Sequence, residues 1–148
     1  MRRAVLLIVL ALFAGSASAQ LPGLRKRQPM PQIPIIVGID ALRADFLARS
    51  GSDLVYFAGD SAVLSPQARQ TLGAQAQWLL QHPEVVVRIE GHADLSDTRD
   101  HALAIGARRA EEVRSFLVLM GVPAAQLSTL SWGKERPGPP RTQTILVR

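Results

Sequence analysis

The stretch VVVRIEGHADLSDTRDHALAIGARRAEEVRSFLVLMG, residues 85–121, joins a strand signal, a charged loop and a long helical repeat. VVVRIE at 85–90 is rich in β-branched residues and too short for a free-standing helix, so it predicts a central strand. Residues 98–120 have apolar side chains three and four positions apart, which predicts an amphipathic helix. Its expected buried stripe is Leu103, Gly106, Ala110, Val113, Leu117 and Met120. Gly121 follows where a left-handed cap favours glycine.

The segments on both sides of this stretch predict three more strands and one more helix. LVYF at 54–57 suits a short strand, and residues 66–81 have helical apolar spacing after a Ser-Pro start. Two strands at 127–133 and 142–148 follow the long helix. The order β-α-β-α-β-β predicts an α+β fold with two helices packed on one face of a small mixed sheet.

The first fifty residues form three segments of different composition. Residues 1–19 predict a secretory signal peptide, with two arginines, an apolar run and a small-x-small ending. Residues 20–34 are basic and rich in proline, which predicts an extended linker. Residues 35–50 begin like a strand and continue with spacing that suits a short helix, so their structure stays open. The folded domain is expected at 51–148.

Composition excludes several kinds of site. The chain has no cysteine, which excludes disulfides, thiolate metal ligands, cysteine nucleophiles and a lipid attached through cysteine. Its formal charge of +5 includes two arginines of the predicted signal peptide, and aromatic residues make up only 5%. This composition does not indicate nucleic-acid binding. Because no serine has a His–Asp partner at catalytic spacing, we expect neither an enzyme nor a cofactor.

Among the charged residues of this stretch, Asp94 and Arg109 are expected to face the same cleft. Asp94 lies in the loop after the central strand, a common place for functional groups. At about 100° per residue, Arg109 lies roughly 60° from the centre of the buried stripe, whereas Arg108 faces water. A carboxylate and a guanidinium held apart suit a zwitterion, whose ammonium meets Asp94 and whose carboxylate takes the arginine. A structural salt bridge between them, or Asp94 capping the helix, is the alternative.

A metal site is another interpretation of the charged loop. His92 and Asp94 are separated by one residue, Asp97 and Asp100 lie nearby, and all four side chains can bind metals. Two ligands at a strand end are a weak signal, so we expect no metal. For His92 the alternative is a polar residue at the end of a strand.

Several motifs together resemble the OmpA-like C-terminal domain family over roughly residues 44–148. They are VYF at 55–57 with DS at 60–61, IEGHAD at 89–94, the helix from TR at 98–99 to EVR at 112–114, GVPAAQL at 121–127 and SWGKERP at 131–137. The resemblance implies an OmpA-like fold and non-catalytic binding of peptidoglycan in the bacterial cell envelope. The implied ligand is the diaminopimelate of the stem peptide, which carries an ammonium and a carboxylate on one carbon. The implied location is the periplasm, peripheral to the outer membrane.

The resemblance also implies which residues bind the ligand. The family's aspartate after the second strand falls on Asp94, and the arginine of its RRA triplet falls on Arg109. Phe57 matches the aromatic residue at the end of the first strand, whose neighbouring backbone lines the family's pocket. With His92 and Ala102, these residues form the expected ligand-binding set.

Three departures from the family pattern bear on the site: two remove polar groups and predict weaker binding, whereas the effect of the third, which adds a negative charge, stays open. The family's threonine before the aspartate is Ala93, its asparagine on the second helix is Ala102, and its loop glycine is Asp97. Each lost net hydrogen bond is worth roughly 0.5–1.5 kcal/mol. Without a cysteine, the lipid anchor known in the family has no attachment point. The alternative function is an envelope adaptor with weakened or lost wall binding that acts through a protein partner, such as a Tol-system protein.

Overall fold

The computed structural model describes residues 38–147, so the predicted signal peptide, the linker and residues 35–37 lie outside it. The elements are α1 (Ile39–Ser50), β1 (Leu54–Tyr56), α2 (Pro66–Gln81), β2 (Val87–His92), α3 (Arg99–Leu119), a 3₁₀ turn (Ala124–Gln126), β3 (Leu127–Gly133) and β4 (Arg141–Leu146). No helix within this range is long and apolar enough to cross a membrane. The predicted element order is confirmed from β1 onward, and α1 precedes it.

The strands form one mixed sheet in the order β1-β4-β2-β3. The last strand, β4, pairs antiparallel with both β1 and β2, whereas β2 and β3 run parallel. Along β2, Val87 and Ile89 belong to the hydrophobic core, while Arg88 and Glu90 alternate with them onto the other face. The α+β prediction is therefore confirmed, and β2 is central, as its β-branched sequence indicates.

Residues 39–50, whose structure the sequence pattern left open, form the helix α1. Phe46 of this helix is 1% exposed and packs edge-to-face on Trp78 of α2, with the ring centroids 5.1 Å apart. The indole Nε1 of Trp78 donates a hydrogen bond to Oδ2 of Asp45 at 2.7 Å. Gly51 ends the helix in the left-handed region, at φ 77°. The short-helix interpretation is thus correct from Ile39 onward.

Two glycines allow β2 and α3 to approach each other more closely than any side chain would permit. A Cβ atom added to Gly91 would lie 1.9 Å from the carbonyl oxygen of Gly106 and 2.7 Å from its carbonyl carbon. Both obstacles are backbone atoms, which cannot rotate away. Because the loop after β2 begins directly beyond this contact, the contact fixes where that loop meets α3.

The buried face of α3 differs from the predicted stripe at both ends. Leu103 and Met120, which were predicted to be buried, are 37% and 41% exposed. The side chains of Ala102, Ile105 and Arg109 are buried instead. The N-terminal half of α3 packs against the loop after β2 through Ala102, so its buried face is rotated from the regular stripe. Arg109 consequently lies inside the protein rather than at the border of the core.

Candidate functional site

Arg109 lies at the centre of the candidate site and is held entirely by backbone carbonyls. Its Nε donates to the oxygen of Ser61 at 2.9 Å, and its Nη1 donates to the oxygen of His92 at 2.9 Å. Its Nη2 donates to the oxygen of Gly59. Since a guanidinium has five N–H groups, one N–H on each terminal nitrogen is left without a partner in residues 38–147. Arg109 is 1% exposed, so both are shielded from bulk water.

The charge of Arg109 has no direct partner of opposite sign in the described part of the chain. Its guanidinium carbon lies 5.4 Å from the centre of the Phe57 ring, in cation–π range. Burial lowers the pKa of Arg109, while the negative charges of Asp60, Asp97 and Asp94 act in the opposite direction. These carboxylates act from a distance, because all three protein acceptors of the guanidinium are backbone oxygens. The alternative of a structural salt bridge between Asp94 and Arg109 is therefore wrong.

Asp94 is exposed at the start of the loop between β2 and α3. Its Oδ1 accepts hydrogen bonds from the backbone N–H of Ser96 at 3.1 Å and from the Ser96 hydroxyl at 3.3 Å. The helix cap is Thr98, whose hydroxyl accepts from the N–H of His101 at 3.3 Å. Asp94 therefore does not cap α3. Its local turn fixes one carboxylate oxygen, and the second oxygen has no partner among residues 38–147.

His92 contributes its backbone to the site rather than its imidazole ring. Its carbonyl oxygen accepts from Arg109, whereas its residue surface is 0% exposed. Neither ring nitrogen has a hydrogen-bond partner in the described part of the chain. The pKa of His92 is lowered to about 4, chiefly by burial; the positive charges of Arg141 and Arg136 contribute to the lowering, and the negative charge of Glu90 opposes it. The ring is therefore neutral at pH 7 and does not meet an anionic ligand as a cation.

The buried His92 ring predicts a specific loss of stability in acid. The unfolded chain binds a proton at His92 near pH 6.5 and the folded chain only near pH 4, so the free energy of unfolding falls as pH drops through this window. Between pH 8 and 4.5, the free energy of unfolding should therefore fall in both proteins, but by roughly 2–3 kcal/mol less in His92→Leu than in the wild type. Urea unfolding at both pH values measures the difference. Equal losses in the two proteins would show that His92 is not the proton-binding group.

Ala93 and Ala102 belong to one buried cluster where the loop after β2 meets α3. Ala93 is 1% exposed, Ala102 is 0% exposed, and with Ile105 they form a small buried apolar cluster. The loop and α3 are thus joined here by an apolar contact. This wall of the cleft offers no side-chain hydrogen bond, so recognition depends on the charged groups and the backbone.

Three site features were not predicted from the sequence. The carbonyls of Gly59 and Ser61 hold Arg109, and Asp60 between them belongs to an acidic rim with Asp97. His101 joins this rim, its Nε2 lying 3.6 Å from Asp60 Oδ2 and 3.9 Å from Asp97 Oδ1. These three side chains, rather than His92 and Asp94, come closest to a metal-binding arrangement. The Gly-Asp-Ser turn after VYF was the available signal, but a turn motif does not reveal which side chain its carbonyls will meet.

The fold and the site define a small α+β binding domain whose charged cleft is formed by the loops around one end of β2. Residues 56–144 match the family model described as the OmpA family. The chain belongs to the OmpA family, which confirms the resemblance noted in its motifs and makes it a non-catalytic domain of the bacterial cell envelope.

Within that family, the chain is similar to peptidoglycan-associated lipoproteins. It is 38% identical to the one from Agrobacterium fabrum over 134 residues, covering 86% of this chain and 75% of that protein. It is 40% identical to the one from Brucella melitensis over 136 residues, covering 88% and 79%. The crystal structure of the Burkholderia pseudomallei protein superposes with a TM-score of 0.63 at 34% identity, covering 65% of this chain and 91% of that one.

Proposed function

We propose that this domain binds peptidoglycan in the periplasm by holding the diaminopimelate side chain of the stem peptide between Arg109 and Asp94. The observation that carries the proposal is the burial of Arg109 without a carboxylate partner. Removing a guanidinium from water costs several kcal/mol, and an anionic partner offsets that cost. A ligand carboxylate supplies the missing partner.

The geometry of Arg109 fits a carboxylate. The three backbone carbonyls fix the plane of the guanidinium, so its orientation is set before the ligand arrives. One free N–H on each terminal nitrogen then remains for the two oxygens of a carboxylate, in a charge-assisted contact. Because Arg109 is covered in the ligand-free protein, the carboxylate enters by displacing part of that cover.

The surroundings of Arg109 fit the ammonium of the same ligand. Asp94, Asp60 and Asp97 all act on Arg109 as negative charges, so the mouth of the cleft is acidic while its floor is basic. Diaminopimelate carries both charges on one carbon, as this arrangement requires. The relatives' names, which state that they are associated with peptidoglycan, agree with this ligand.

A sedimentation experiment with insoluble peptidoglycan tests the proposal. We expect the wild-type chain to sediment with diaminopimelate-containing sacculi, and Asp94→Asn to stay largely in the supernatant because its neutral amide lacks the negative charge that attracts the ammonium. A charge-assisted hydrogen bond is worth roughly 1.5–3 kcal/mol, so retention should fall about tenfold or more. Asp100→Asn is the matched control: it makes the same charge change at another exposed residue and should sediment like the wild type.

Failure of the wild-type chain to sediment would contradict the proposal. The replacement of two polar positions by Ala93 and Ala102 would then explain the loss, because the cleft wall has no side-chain hydrogen bonds to offer. In that case the adaptor function, acting through a Tol-system or other envelope protein, becomes the account to test.

A further inference from the structure

The motif SWGKERP at 131–137 belongs to the family pattern but has no part in the proposed ligand contacts. It covers the end of β3 and the start of the connection to β4. Three consecutive residues of this motif each contact the loop that carries Asp94 or the helix turn that follows it. These contacts give the motif a role that the proposed function does not yet include.

The first contacts hold the two ends of the Asp94 loop. The N–H of Ala93, directly before Asp94, donates to the oxygen of Gly133 at 2.8 Å. The ammonium of Lys134 donates to the backbone oxygen of Asp97 at 2.5 Å. Glu135 then forms an ion pair with Arg99, the first residue of α3, at 3.1 Å. Residues 133, 134 and 135 thus contact positions 93, 97 and 99 in order.

The motif is itself anchored on the sheet by a buried carboxylate. Glu90 of β2 is 0% exposed, and its Oε2 accepts from Nη1 of Arg136 at 2.9 Å. Its Oε1 accepts from Nε of Arg88 at 2.9 Å. The guanidinium of Arg136 also stacks 3.8 Å from the centre of the Trp132 ring. Residues 133–135 are therefore attached to a rigid part of the fold and not to a free loop.

We propose that Lys134 is a positioning residue that orders the Asp94 loop for ligand binding. The loop spans only four residues between the contacts at Ala93 and Thr98, and within the described range the Lys134 bond is the one charge-assisted contact that reaches its backbone from outside the loop. With the loop held, the Asp94 carboxylate is in place before the ligand arrives, so less conformational entropy is lost on binding. This inference rests on the proposed function.

The test compares Lys134→Met with the wild type in two measurements. In the ligand-free protein, ¹⁵N relaxation of the amides at 95–97 should show order parameters falling from about 0.85 to below about 0.6. In titration with a diaminopimelate-containing muropeptide, the affinity should fall about tenfold, as expected for losing one hydrogen bond to a charged group. The urea midpoint should change little, because the lysine is only half-buried.

Two further variants separate positioning from other effects. Lys134→Arg keeps a cationic donor and should restore both the order of the loop and the affinity. Arg108→Met removes one positive charge from an exposed position of α3 and should change neither. Glu135→Gln, which weakens only the ion pair with Arg99, should give a smaller change in the same direction as Lys134→Met.

Three results would overturn the inference. An unchanged loop in Lys134→Met would show that the bond to Asp97 does not order it. A mobile loop with unchanged affinity would show that order does not matter for binding, and tighter binding would show that Lys134 holds the cleft shut. If the wild type does not bind the muropeptide at all, the proposed function fails, whereas the relaxation measurement still decides whether Lys134 orders the loop.

Discussion

Gly91→Ala is expected to lower the free energy of unfolding by about 3 kcal/mol, the upper end of the usual cost of overpacking, because no change of rotamer can relieve the clash. The added methyl would lie 1.9 Å from the carbonyl oxygen of Gly106. Relief requires β2 and α3 to separate along their whole contact, since both are regular elements. Urea unfolding followed by circular dichroism measures the loss, and ligand binding should disappear with it because the Asp94 loop begins at this contact.

Gly73→Ala is the matched control for that substitution. Gly73 lies in α2, and an added Cβ there would meet nothing within 4 Å. Alanine should therefore stabilise the helix by up to about 1 kcal/mol, the difference in helix propensity between the two residues. A Gly91→Ala protein as stable as the wild type would mean that the close approach of β2 and α3 is not a feature of the folded protein.

Arg109→Met is expected to weaken binding of a diaminopimelate-containing muropeptide at least about a hundredfold, since two charge-assisted hydrogen bonds of roughly 1.5–3 kcal/mol each are lost. The variant should also lose stability, because the carbonyls of Gly59, Ser61 and His92 lose their donor. The affinity is measured by calorimetric titration, at a temperature where circular dichroism shows that the variant is folded.

Arg109→Lys separates the charge from the shape of the side chain. Lysine keeps the positive charge but cannot span three carbonyls and present a two-pronged contact at the same time. We expect binding between that of the wild type and that of Arg109→Met. Wild-type affinity in Arg109→Met would show that the ligand does not contact this residue, and the proposed site would be wrong.

Local sequence signals were sufficient to predict most of the fold. The helix at Pro66–Gln81 and the strand at Leu127–Gly133 have the predicted bounds, because a Ser-Pro start and a following turn rich in proline and glycine act over short distances. The remaining strands differ from the predicted bounds by one or two residues. The structure of residues 39–50 was harder to predict, since Phe46 is recognisable as a core residue only through its contact with Trp78.

The sequence was sufficient to predict which charged residues form the candidate site, but not which groups they contact. Spacing placed Arg108 in water, which the structure confirms, and Arg109 at the border of the core, whereas the structure buries it. Spacing did not reveal that three carbonyls from two distant segments hold the guanidinium, because such contacts depend on tertiary packing. The Asp94 turn with Ser96 and the bond from Lys134 to Asp97 are similarly absent from any periodic pattern.

The central claim is that the cleft recognises a carboxylate and an ammonium together. The most direct test is calorimetric titration of the wild-type chain with two muropeptides that differ only in the third residue, diaminopimelate or lysine. Lysine keeps the side-chain ammonium and lacks the carboxylate. We predict saturable binding of the diaminopimelate form and at least about tenfold weaker binding of the lysine form, the value of one lost charge-assisted contact. Equal affinities, or no binding of either form by the folded protein, would contradict the account.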